Sequence, residues 1–225
     1  FQNLARALVV ALQSSGGEIL YRSPVRRIVV RNGCVSGVVL ENGQRVDAPV
    51  VVSNADVRQT LEELVGSEAL GTRSRARLAR LDRSVSAFVV YAATDLDLTE
   101  FQPGHENFFY TGWSHEEAFR GVEAAEPSWF TATIPTLADP GLAPAGQHLM
   151  TLTTLVPSGG GVDWRAEKER FTERLLSAAD ARFPGLRDHL LFAEGATPRT
   201  LERYTRNPGG AAYGFAVTPQ QVGPG

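Results

Sequence analysis

Few side chains in this sequence are typed and spaced for chemistry. Metal centres need His, Cys or carboxylate ligands at converging spacings, yet His105, His115, His148 and His189 stand apart, with no His-Glu-x-x-His and no paired cysteines. No metal site is expected. Ser158-Gly159-Gly160-Gly161 is glycine-rich like a phosphate loop but lacks the Lys-Ser/Thr that grips phosphates, so it reads as a flexible turn. Gly209-Gly210-Ala211-Ala212-Tyr213-Gly214 has no strand leading in and no clear helix leading out, which argues against a dinucleotide fingerprint. There is no Gly-x-Ser-x-Gly elbow and no kinase signature, so hydrolase and phosphotransferase readings lack an anchor. Asp95, Asp97 and Glu100 read as a solvated acidic loop. The single cysteine, Cys34, falls in an expected strand and reads as a small buried hydrophobe; alone, it excludes an internal disulfide and fits a reducing compartment. Spacing names no acid, base or nucleophile.

The elements around these residues are more informative. Asn32-Gly33 and Asn42-Gly43 are hairpin dipeptides flanked by β-branched runs, which predicts an antiparallel meander over about residues 25–31, 34–41 and 44–48. A strand is expected before it, after Gly17. Val50-Val51-Val52 then follows Pro49 without polar alternation, the pattern of a strand covered on both faces. Ser53 and Asp56 have capping-box spacing, and Val57, Leu61, Leu64 and Val65 share a helical face until Gly66. The unit is strand, tight turn, helix. Upstream, Leu4, Leu8, Ala11 and Leu12 line one face of an N-terminal helix.

Beyond Gly66, Arg73, Arg75, Arg77, Arg80 and Arg83 predict a surface helix, either a solvated basic face or a contact with an anionic membrane surface. Strands are expected at 84–94, 107–110, 128–133 and 148–156, forming an antiparallel sheet. Asp163 is placed as the N-cap of a helix carrying Trp164, Phe171, Leu175 and Ala178. A short strand at 190–192, a helix from Thr197-Pro198 to Tyr204 and a glycine-rich loop over 207–215 complete the chain.

A chain of 225 residues, 43% of them hydrophobic, can bury one large or two small cores. The formal charge of −3 gives no general attraction to nucleic acid, and no RNA- or DNA-binding signature overrides this. No apolar run reaches membrane-spanning length and no signal peptide is evident, so a cytoplasmic location is expected. Phe1-Gln2-Asn3 enters a helical pattern at once, and Val222-Gly223-Pro224-Gly225 halts in a turn; the sequence reads as a piece of a longer protein. The division expected is residues 1–70 and 71–225.

In order and spacing, several segments resemble the flavin-dependent phytoene desaturase group, which includes carotenoid isomerases and retinol saturases. They are GGEILYRSPVRRIVVRNGCVSGVVLENGQRV with VVSNAD (16–56), SVSAFVVY (84–91), DPGLAPAGQHLMTLTTLVP, DWRAEKERF, FPGL and TPRTLERYTRNPGGAAYG (197–214). The resemblance covers nearly the whole chain. It implies an α/β first part, a fragment of a Rossmann-like FAD domain with a helix, a strand, the β-meander, the buried strand and a helix. The second part is implied to be α+β, an antiparallel substrate domain with helices. It implies FAD as cofactor, with backbone groups at Val25 pairing with the adenine and the Ser53-Asn54-Ala55 turn close to the flavin nucleotide. The loop from Tyr204, with Tyr213 and Gly214, would approach an apolar tunnel for a polyene or other lipid. Desaturation, saturation or isomerisation by hydride transfer at the flavin follows as the implied activity. Two rivals stand beside it: an amine-oxidase-like flavoprotein using Tyr91, Tyr110, Trp129 and Tyr213 on a polar substrate, and a non-catalytic lipid-binding or interaction module. In the family, a Gly-x-Gly-x-x-Gly precedes the position of Phe1 and a further flavin-binding segment follows Gln220-Gln221. This chain alone is therefore expected to bind FAD weakly or not at all, and to be inactive.

Overall fold

The computed structural model describes residues 2–222. Phe1 and the expected turn at Gly223-Pro224-Gly225 lie outside the described residues. The chain divides into two compact units: one runs to Asn54 and resumes over Arg58–Arg75, the other takes Ala55–Val57 and continues from Ala76.

In the first unit, α1 (Gln2–Ser14) precedes a meander of β1 (Val25–Arg31), β2 (Cys34–Leu40) and β3 (Arg45–Asp47), in spatial order β1-β2-β3. The two turns differ in kind. Asn32 and Gly33 both take positive φ, 50° and 78°, as a two-residue primed turn requires. At the second, Leu40 pairs with Gln44 across three residues, and only Gly43 has positive φ, 87°. Ile28, Val29 and Leu40 form the buried part of this small sheet. Val57-Arg58 leads into a π-helical segment, Gln59–Gly66, and α2 (Thr72–Ala79) buries only Leu78 among its arginines.

Four expectations need correction here. Residues 18–24 form no strand, and Val50-Val51-Val52 is not a buried strand: Val50 is 73% and Val52 90% exposed. An apolar run favours burial, but a strand exists only when a neighbour accepts its backbone hydrogen bonds, and neither segment has one among the described residues. Ser53 is not the helix N-cap, because the helix starts only at Val57; the Ser53 hydroxyl and Thr60 Oγ1 are hydrogen-bonded at 2.7 Å. Cys34 is exposed rather than buried, because it sits directly after the Asn32-Gly33 turn at the outer end of β2. The expected apolar face of α1 exists, but the helix buries no residue.

The second unit is built on a five-stranded antiparallel sheet of β4 (Ser86–Thr94), β5 (Glu106–Tyr110), β6 (Trp129–Thr133), β7 (His148–Val156) and β8 (Leu190–Ala196), ordered β5-β6-β7-β4-β8. Helix α3 (His115–Glu123) lies between β5 and β6 in sequence; α4 (Trp164–Asp180), α5 (Pro198–Thr205) and α6 (Pro219–Val222) follow. α4 starts where Asp163 accepts hydrogen bonds from the Arg165 and Ala166 amides. It lays Phe171, Leu175, Leu176 and Ala179 into a core with Phe88, Val90, Phe130, Leu152 and Leu186. Phe88, Trp164 and Phe171 pack ring to ring, with centroids 5.1–6.1 Å apart. Full burial of each such side chain contributes about 1.5–3 kcal/mol, so this cluster dominates the unit's stability.

The opposite sheet face is different. The register places Phe108, Thr131, Thr153 and Val89 in one row and Thr133, Thr151, Tyr91 and Glu194 in the next. Tyr91 and Phe108 are 49% and 60% exposed. The face mixes these two aromatic side chains with four threonine hydroxyls and Glu194, and among the described residues no helix covers the two rings.

Candidate functional site

The return loop, where Tyr213 and Gly214 were expected to matter, is fixed by hydrogen bonds to the chain entering β4. The Ala212 amide donates to Val85 O and the Ala216 amide to Asp82 O, while the Ser84 amide donates to Gly214 O, all at 2.9 Å. Two buried hydroxyls strengthen this ladder: Ser84 Oγ accepts from the Tyr213 amide at 3.0 Å, and Ser86 Oγ donates to Gly210 O at 2.6 Å. Gln221 closes it, its Oε1 accepting from the Asp82 amide and its Nε2 donating to the Asp82 and Ala216 carbonyls. A loop this rich in glycine would otherwise be mobile, so these bonds are what give it a fixed position. Gly210 makes the arrangement possible, since a Cβ there would lie 2.3 Å from Pro198 O.

Tyr213 presents its ring to solvent, 74% exposed. A Cβ on Gly214 would lie 3.4 Å from Asp56 Oδ2. Thus the second unit brings the residue after Ala55 beside the return loop. Ser53 and Asn54 belong to the first unit and are exposed. Val25 opens β1 opposite Leu40, half-buried. Because β1 is an edge strand, alternate backbone N–H and C=O groups along it are not taken by β2. Beside it, a cavity of about 360 Å³ is lined by Arg26, Arg27, Val39 and Glu63.

No acid–base constellation emerges at the loop. His189 Nδ1 and Asp95 Oδ1 are 2.8 Å apart, but both side chains are about half exposed and the pair ties the entry of β8 to the end of β4, where the Asp95 amide also donates to His189 O. Asp97 caps a short 3₁₀ turn; hydrogen bonds from the Thr99 hydroxyl and amide hold its carboxyl below the usual carboxylate range. Among the described residues, no three His, Cys, Asp or Glu side chains converge as a metal set. What the second unit offers is a pinned loop and a sheet face that exposes two aromatic rings. Sequence reasoning missed Ser84, Ser86 and Gln221. Their only signal was that polar side chains in or beside a β-branched run require partners.

The family profile of flavin containing amine oxidoreductases matches residues 1–204, and the chain belongs to this family. Among its relatives, the lycopene-forming phytoene desaturase of Pseudescherichia vulneris is 31% identical over 201 residues, covering 87% of this chain and 40% of that protein. The chloroplastic prolycopene isomerase of Daucus carota is 27% identical over 217 residues, covering 94% of this chain and 34% of that protein. The chain thus spans less than half the length of either relative. An oxidoreductase from Methanosarcina mazei shares the fold with a TM-score of 0.59 and 23% identity, over 84% of this chain and 40% of that one.

Proposed function

We propose that the protein to which this chain belongs is an FAD-dependent oxidoreductase that desaturates, saturates or isomerises an apolar, isoprenoid-like molecule. The observation that carries this reading is the exposed face of the five-stranded sheet, where the rings of Tyr91 and Phe108 stand among threonines, between Glu106 and Glu194 on the outer strands. A polyene can lie against exposed aromatic rings and threonine methyl groups, and this face carries both. Relatives named as a phytoene desaturase and a prolycopene isomerase support the same substrate class.

The chain's residues fit part of a flavin site. The free edge of β1 at Val25 suits an adenine, the Ser53-Asn54-Ala55 turn suits the nucleotide side, and the loop carrying Tyr213 and Gly214 is held rigid enough to border a substrate. When bound, the flavin supplies the redox step. The chain's own residues position the substrate and keep water away. Residues up to Asn54 and over 58–75 then correspond to part of the flavin domain, and those from Ala76 to the substrate domain. No helix among the described residues is long and apolar enough to cross a membrane; the exposed arginines of α2 provide a surface contact with anionic lipid, from a cytoplasmic position.

The test is a flavin titration, by absorbance and fluorescence, of this chain beside a protein extended at both ends to the full gene. Uptake of FAD by the extended protein, with weak or no uptake by this chain, is the expected result. Absence of uptake by both overturns the flavoenzyme reading and favours a lipid-binding module.

A further inference from the structure

On the α4 side of the sheet, away from the row of Tyr91 and Thr151, lies a second apolar space. It is a cavity of about 500 Å³ between the β5–β6 hairpin and the C-terminal half of α4. Phe109 and Phe130 form one wall; Leu175, Ala178 and Ala181 form the other. Small residues on the helix opposite aromatic residues on the strands leave the gap, and its volume lies within the range of about 300–1,000 Å³ typical of small-molecule sites.

Two guanidinium groups line the cavity, and they differ. Arg174 is neutralised: its Nη1 contacts Glu126 Oε2 at 2.5 Å and its Nη2 donates to Pro127 O at 3.0 Å. Arg182 has no carboxylate within ion-pairing distance among the described residues, and its Cζ stands 5.5 Å from the centroid of the Phe109 ring. The cavity therefore combines an apolar interior with one uncompensated positive charge. Burying an alkyl chain contributes about 25 cal/mol per Å² of apolar surface removed from water, and a guanidinium prefers a carboxylate as a planar, two-bond partner.

We propose that this cavity is a binding site for a small amphiphile bearing one anionic group, with its alkyl chain between β5–β6 and α4 and its carboxylate on Arg182. None of its lining residues belongs to the return loop or to the Tyr91 row, although Tyr110 and Trp129 border it from the face that carries Phe108. Arg182 sets the preference for charge; Ala178 sets the length of chain admitted.

The test uses isothermal titration calorimetry on the intact protein, with laurate below its micelle concentration as the probe and methyl laurate as its uncharged counterpart. Saturable laurate binding, at least tenfold tighter than that of methyl laurate, is expected. Arg182→Gln, an exposed change that leaves the core untouched, removes that preference; Ala178→Phe, with folding checked by circular dichroism, removes binding altogether. Laurate affinity unchanged in Arg182→Gln overturns the proposal, even if laurate binds elsewhere on the protein. So does an absence of saturable binding to the unaltered protein.

Discussion

Ser86 shows how much a single hydroxyl can carry. Its hydrogen bond to Gly210 O is fully buried and joins residues 124 apart in sequence. Ser86→Ala leaves that carbonyl without this donor and is expected to cost about 1–3 kcal/mol, read as a lower denaturation midpoint together with faster amide exchange over 209–214. Glu126 offers a check of a different kind. A hydrogen bond from Arg174, reinforced by its charge, holds the Glu126 carboxyl below the usual glutamate range. The folded pKa is the lowered one, so the pair's contribution is in place above the ordinary glutamate pKa and fades as pH falls through the lowered value. NMR titration of Glu126 should return it towards ordinary behaviour in Arg174→Met. Neither partner of Ser86 nor that of Glu126 could be found from spacing, since both lie far away in sequence.

At the scale of elements, local signals served well wherever pairing was local. The Asn-Gly turns fixed the meander, and Asp163 and Thr197-Pro198 marked two helix starts that the structure keeps. Thr197 forms a reciprocal capping box with Thr200, so Thr197→Ala should cost about 1 kcal/mol, measured by urea denaturation, and loosen α5 first. Helix α3 was missed although Ser114 and Glu117 have capping spacing, and Ser114 Oγ does accept from the Glu117 amide. A nine-residue helix with only Ala118 and Val122 buried gave too narrow an apolar stripe to stand out. Val50–Val52 failed in the other direction. Its composition was that of a covered strand, but composition cannot supply the neighbour. For the site, the segments to examine were legible and the way the loop is held was not. Ser84, Ser86 and Gln221 act through main-chain atoms that no side-chain motif records.

At the scale of the whole molecule, the chain combines a densely packed sheet-and-helix core with surfaces that look unfinished by themselves. α1 buries nothing, and the sheet turns Tyr91 and Phe108 outward. The chain belongs to a family of flavin containing amine oxidoreductases and spans 34–40% of the length of its two quoted relatives.

The sheet's borders have a further implication. Among the described residues nothing pairs beyond β5 or β8, and β5 carries the outward Phe108 next to its free main-chain groups. A sticky border of this sort invites strand-to-strand docking between copies, and natural proteins guard such borders with charge. Concentrated solutions of this chain should therefore grow in hydrodynamic radius with time, by light scattering, and Phe108→Lys should slow that growth without lowering the melting temperature. Colloidal behaviour at the bench would then be governed by one side chain on a peripheral strand rather than by the stability of the core.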